Sequence, residues 1–182
     1  LLRTDNGGAD WEDVSWLLEN EDGFHLNAIT EVANSGLFIV GEMGAMFRSA
    51  DGGESWETVA SPYDGTLFGV QGLTEDYALV AFGLRGHLFV SYDFGDSWTP
   101  VELDELAAGL ASATVLDDGA LVIVGHAGSV LRSTDGGRSF SVFNRSDRLS
   151  LSALVPTKQG NLILVGQHGL HHANSIGASV EQ

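Results

Sequence analysis

Hydrophobic positions along the chain fall in short blocks and show no long helical stripe. Leu37-Phe38-Ile39-Val40, Ala78-Leu79-Val80-Ala81-Phe82, Leu121-Val122-Ile123-Val124 and Leu162-Ile163-Leu164-Val165 are compact apolar runs bounded by Gly. Their length and β-branched content predict buried strands. A G-x-x-G follows each run: Gly41-Glu42-Met43-Gly44, Gly83-Leu84-Arg85-Gly86, Gly125-His126-Ala127-Gly128 and Gly166-Gln167-His168-Gly169. It reads as a tight hairpin in which Gly supplies positive φ. A half-apolar stretch precedes each run, around Ala28-Ile29 and at Leu67–Val70, Ala111–Val115 and Leu151–Val155. Another follows the hairpin, as at Ala45–Ser49 and Ser129–Ser133.

A second marker runs in step with the first. The pattern S-x-D-x-G-x-x-[WF] occurs at Ser49–Trp56, Ser91–Trp98 and Ser133–Phe140, 42 residues apart both times, with a weaker copy at Thr4–Trp11 carrying Asn6 in the Asp position. The Asp carboxylate can accept backbone N–H groups of its own turn. Gly53, Gly95 and Gly137 can take a conformation costly for other residues. The aromatic side chain is expected to fold over the turn and bury itself in its own blade. Asn6, Trp11, Asp51, Trp56, Asp93, Trp98, Asp135 and Phe140, with the three glycines, are therefore read as structural.

Two markers locked together over four periods predict four strands, A to D, per repeat, which is a blade. The fold class is all-β: a β-propeller of four-stranded antiparallel blades with about four repeats. The single segment 1–182 divides into strands C and D of a split blade (1–20), blades at 24–60, 66–103 and 108–143, and a last, incomplete blade at 150–182. The final repeat keeps strands A to C, and its box has decayed to Ala173-Asn174-Ser175-Ile176-Gly177. The chain starts mid-blade. That predicts a partial propeller, as in the C-terminal half of a seven-bladed one, which is a homo-oligomer or lacks its N-terminal half. The alternative is a four-bladed ring closed by the N-terminal strand.

Charge narrows the partners. The net charge is −17, from 8 Lys and Arg against 25 Asp and Glu, which excludes nucleic acid and anionic membrane surfaces. No apolar run approaches the roughly 18 residues of a membrane helix, so direct membrane insertion is not expected. There is no Cys, which removes disulfides and thiolate metal sites.

The box is the bacterial neuraminidase repeat, or Asp-box, of sialidases, xyloglucanases, sortilin-like receptors and photosystem II assembly factors. Val40–Gly44 followed by Phe47–Gly53 and Trp56 resembles the repeat of the last group. Tyr63–Val70, Phe82–Gly86, Leu149–Leu154 and Leu164–Gln167 resemble its bacterial branch outside photosynthesis. The resemblance implies export to the periplasm or beyond, frequent association with genes for RND-type transporters, and a non-enzymatic scaffold serving a membrane complex. Its photosynthetic members are assembly chaperones that contact their client through an Arg-rich patch.

In a blade, B–C and D–A loops share one face and the boxes the other. The candidate binding face therefore carries Glu42, Met43, Tyr63, Asp64, Arg85, His126, Arg145, Asp147, Arg148 and His168. No spacing links an arginine triad to a Tyr as a sialidase requires. Abundant carboxylates single out no glycosidase pair, and a glycosidase or lectin stands as the alternative reading. Adjacent His171 and His172 point to opposite faces of a strand, and no metal or other cofactor is expected.

Overall fold

A computed structural model describes residues 1–103 and 108–180. Residues 181 and 182, the end of the expected last blade, lie outside them. The order of elements is all strand, apart from short helical turns. A two-stranded hairpin, β1 (Leu2–Arg3) and β2 (Glu12–Asp13), comes first. Three four-stranded antiparallel sheets follow. Blade 1 is β3 (Leu26–Val32), β4 (Gly36–Gly41), β5 (Met46–Ser49) and β6 (Glu57–Thr58). Blade 2 is β7 (Leu67–Gly72), β8 (Leu79–Gly83), β9 (Leu88–Ser91) and β10 (Thr99–Pro100). Blade 3 is β11 (Leu110–Val115), β12 (Leu121–Gly125), β13 (Ser129–Ser133) and β14 (Ser141–Asn144). Blade 4 has three strands, β15 (Leu151–Pro156), β16 (Leu162–Gly166) and β17 (Gly169–Ala173).

The uninterrupted apolar runs have a simple cause. Successive side chains of a strand point to opposite faces, and the second strand of blades 1 to 3 is buried on both. Phe38, Val40 and Met46 of blade 1 meet Leu79, Ala81 and Phe89 of blade 2. The intervening Val80, with Phe82, Leu88 and Val90, meets Leu121, Ile123 and Leu131 of blade 3. Val122, Val124 and Val130 then meet Leu151, Leu162 and Leu164 of blade 4. Truncating one of these, such as Ile123→Ala, removes contacts at a face with no solvent and costs about 2–5 kcal/mol.

The four-bladed closure does not form. Leu1 and Leu18 are held by Ile39 and Phe47 on the first face of blade 1, and β1 and β17 lie in separate sheets. The free edge of β17 is met by the chain's own tail, through an Ala173–Ser179 bridge and a Val180 N–H donated to the His172 carbonyl. The outer face of blade 4 carries Ala153, Val155, Ile163, Val165 and Leu170 in register, with Val155 55% and Leu170 67% exposed.

Candidate functional site

The B–C turns are built on close backbone approach. The first Gly of each G-x-x-G is extended, and a Cβ on Gly41, Gly83, Gly125 or Gly166 would collide with the carbonyl of His25, Thr66, Gly109 or Ser150 at the start of strand A. Those carbonyls accept the next N–H, from Glu42 (2.9 Å), Leu84 (3.0 Å), His126 (2.9 Å) and Gln167 (2.9 Å). Each strand A then carries a bulge at one equivalent place, after Leu26, Leu67, Leu110 and Leu151. Only the second Gly has the positive φ expected of the pair. A non-glycine precedes it in the left-handed region in all four turns: Met43 (φ 52°), Arg85 (59°), Ala127 (55°) and His168 (65°). Left-handed backbone at a non-glycine costs about 1–2 kcal/mol.

The D–A loops pack on these turns. Gly44 N–H donates to the Gly65 carbonyl, and Arg145 N–H to that of Gly128. The expected face residues thus share one side, with different exposures. Met43, Asp64, Arg85, His126, Asp147, Arg148 and His168 are exposed. Glu42 is half-buried and accepts the His25 N–H at 3.1 Å. Tyr63 is half-buried, its ring 4.1 Å from that of His87. Arg145 is turned inward and only 3% exposed. Its guanidinium bonds Asp147, the Gly177 carbonyl (2.9 Å) and Ser179 Oγ (3.1 Å). The bonds from Arg145, with one from the Leu149 N–H, hold the Asp147 carboxyl below the usual range against partial desolvation. Arg145 therefore clamps the tail and offers solvent no donor fork. His25 and His87 belong to this face too. Sequence position could have found them: His25 ends a D–A loop, and His87 follows a G-x-x-G.

The opposite face carries the boxes. Asp51 Oδ1 accepts N–H bonds from Glu54 (3.1 Å) and Ser55 (3.0 Å) and the Ser49 hydroxyl (2.8 Å), while Oδ2 accepts the Ser55 hydroxyl (2.6 Å). Asp135 repeats this with Ser139 and Ser133, as does Asp93 with Ser97 and Ser91. The hydrogen bonds from Ser55 hold the Asp51 carboxyl far below the usual range. Those from Ser139 bring Asp135 to about 2. At Asp93 burial pushes upward, and the bonds from Ser97 and Ser91 outweigh it. These lone pairs are occupied within the turn. In the N-terminal copy the polarity is exchanged: Asn6 Nδ2 donates to Asp10, which stands where the other boxes have Ser (2.9 Å). The decayed last box also keeps a working turn. Asn174 Oδ1 caps Ile176 and Ala178 (3.1 and 3.0 Å), and Gly177, at φ 86°, lies on Val130 of blade 3.

The box aromatics meet expectation in part: Trp11 and Trp56 lie over Gly8 and Gly53 of their own turns, but the packing partners differ. Trp98 packs edge-on against Phe38 of the preceding blade, ring centroids 5.8 Å apart. Phe140 packs on the blade 2–3 core and Trp56 on the cluster with Leu1 and Leu18. All three are half-buried, and Trp11 is 61% exposed. The reason is geometric: the turn sits at the rim of its blade, so its indole reaches the crevice between blades. Arginines tie the same crevices. Arg3 pairs with Glu54 (2.9 Å) and Arg48 with Asp96 (2.6 Å), each acid lying in the next blade's box. Arg138 inside a box pairs back to Glu75 (3.0 Å).

Bladed antiparallel sheets, blade-to-blade apolar faces and carboxylate-locked C–D turns define an Asp-box β-propeller. Residues 1–102 match the family model of the photosynthesis system II assembly factor YCF48, and the chain belongs to that family. It is 39% identical over 56 residues to the photosystem II assembly lipoprotein Ycf48 of Synechococcus sp. (strain CC9902), a match spanning 31% of this chain and 16% of that one. Among solved structures it is similar to YCF48 bound to D1 peptide (TM-score 0.73, 21% identity, 99% of this chain and 59% of that chain). It is also similar to YCF48 from Cyanidioschyzon merolae (0.70, 19%, 95% and 59%). The GH74 xyloglucanase from Xanthomonas campestris shares the fold (0.69, 16%, 100% and 34%). The chain thus spans 59% of the length of these YCF48 structures.

Proposed function

We propose that this chain is a non-enzymatic assembly scaffold, exported from the cytoplasm, that holds a protein segment of a membrane complex on its B–C/D–A face. One observation carries the reading. Arg3, Arg48, Arg132, Arg138 and Arg145 are all engaged in ion pairs. Arg85 and Arg148 are exposed and have no ion pair among the described residues, and both sit on this face. Family membership supports a scaffold, the lipoprotein relative supports export, and the relative solved with a D1 peptide supports a peptide ligand. An RND-type transporter is the client we favour, since the resemblance is to the branch outside photosynthesis. The uncovered outer face of blade 4 is where a further blade or a second copy would pack.

Cross-linking in membranes of the source organism, followed by affinity purification, tests the reading. Arg85→Glu and Arg148→Glu should each lose the captured partner. Lys158→Glu, exposed in an A–B loop on the box face, should keep it. Equal capture by all three would refute the face assignment.

A further inference from the structure

Equivalent places on the candidate face are filled in different ways. Tyr63 stands four residues before Leu67, in the loop into blade 2. Its ring lies 4.1 Å from that of His87 and 6.1 Å from that of Phe89, at the third strand of that blade. The loop thus plugs the notch between itself and the blade with its own aromatic. Asp147 holds the same place, four residues before Leu151, and its carboxylate is taken by the Arg145 guanidinium. At blade 1 the corresponding residue is Asp22, four before Leu26, and Ala45 and Phe47 stand where blade 2 has His87 and Phe89. Neither a ring nor a guanidinium arrives there among the described residues. A groove of about 170 Å³ stays open, walled by Phe24, Met43 and Ala45 over the buried Phe47. Its lip is anionic. The Asn20 side chain closes the loop by donating to the Phe24 carbonyl (2.9 Å) and accepting the Phe24 N–H (3.1 Å). That sets Glu21 and Asp22 at the edge of the groove, both exposed and without an ion pair or hydrogen bond among the described residues. Glu19 also lines it and accepts the Thr58 hydroxyl at 3.2 Å. No Lys or Arg does.

From this comparison of repeats we propose that the groove on blade 1 is a subsite for an arginine side chain of the client segment, its stem lying between Phe24 and Met43 and its guanidinium meeting Glu21 and Asp22. The inference rests on the proposed use of this face and names the chemistry of one end of the ligand. Three observations select the occupant. Apolar walls under a carboxylate lip match a long apolar stem that ends in a cation. Two carboxylates side by side match a planar fork of several N–H donors better than a point charge. The molecule itself already fills the equivalent aspartate in this way, with Arg145 on Asp147. The net charge of −17 draws in a cationic segment and repels an anionic one. Glu42, next to Met43, is engaged by the His25 N–H and adds to the negative field without competing for the groove. Arg85 and Arg148 lie on blade 2 and in the loop into blade 4, so the groove holds one end of a segment laid across the face.

The test titrates the whole ¹⁵N-labelled chain with the capped peptide Gly-Leu-Arg-Leu-Gly at about 0.15 M salt, where distant surface carboxylates are largely screened. Amide shifts should saturate and be confined to Glu21–Phe24 and Met43–Ala45. The same peptide with citrulline, which is neutral and nearly isosteric, should bind about tenfold more weakly, having lost its charge-assisted hydrogen bonds. Glu21→Gln with Asp22→Asn should weaken the arginine peptide to the same degree. Ala45→Phe keeps both carboxylates and fills the groove as His87 does on blade 2, and it should weaken both peptides. Glu31→Gln with Asp117→Asn makes the same charge change near the A–B loops of the box face and should leave binding intact. Shifts spread over the acidic surface, equal binding of the two peptides, or full binding by the Glu21/Asp22 variant would each overturn the proposal. Shifts at the groove that grow with protein concentration when no peptide is present would assign it to a second copy and overturn it too. If the peptide does not bind while membrane capture still depends on Arg85 and Arg148, the scaffold reading stands and the subsite falls.

Discussion

Trp98→Ala should open the crevice between blades 1 and 2. The indole meets Phe38 edge-on at 5.8 Å, and Phe94 meets the same ring at 5.9 Å. Removing a fully buried Trp costs about 3–5 kcal/mol. Trp98 is half-buried, so about half of that applies, and the edge-to-face pair adds about 0.5–1.5 kcal/mol. The sum is about 2–4 kcal/mol, or a melting temperature about 4–16 °C lower in a domain of this size. Trp98 Nε1 is buried without a partner, a cost that Phe would not carry. Trp98→Phe should therefore stay within about 1 kcal/mol of the parent. Urea titrations followed by far-UV circular dichroism measure both. A loss below about 1 kcal/mol for Ala, or equal losses for Ala and Phe, would refute the crevice argument.

Further outcomes follow from the same geometry. Asp51, Asp93 and Asp135 have carboxyls held below their unfolded values, so the stability they add is complete above the unfolded value, about 4. It should drain away as pH falls from about 4 towards about 2, and a triple Asp→Asn variant should show a flatter melting-temperature profile there. Arg48→Ala breaks the pair with Glu57, the pair with Asp96, and a bond to the Phe94 carbonyl. A loss of about 1–2 kcal/mol in chemical denaturation is expected, and none in a background already carrying Asp96→Ala and Glu57→Ala would show that the carbonyl bond contributes nothing. Arg145→Ala unclamps Gly177 and Ser179, so limited proteolysis should cut the tail near residues 174–180 well before the blades.

The repeat carried most of the fold because a blade's two faces write themselves into the chain as unbroken apolar runs, such as Leu121–Val124, and its turns as paired glycines. Three things were illegible for physical reasons. The direction of Trp98 depends on how a neighbouring blade is placed, which no local pattern encodes. The exchanged Asn6–Asp10 pair and the Asn174 cap satisfy the same backbone groups with different letters, so both looked like decay. Arg145 reads as one more loop arginine, since its burial comes from a tail more than 30 residues later. On the candidate face the two-glycine rule placed the turns. Exposure then separated Arg85 and Arg148 from Arg145.

The lodging of Trp98 and Phe140 against the preceding blade makes the structural module out of phase with the written one. A cut at the boundary between two repeats severs an indole from its socket and leaves a greasy slot at one cut end. Modules for grafting or duplication should instead be spliced inside a blade, just after its box aromatic, so that wedge and socket travel together. Natural duplication in such arrays faces the same bookkeeping: an inserted repeat must offer a socket to its successor as well as a wedge to its predecessor.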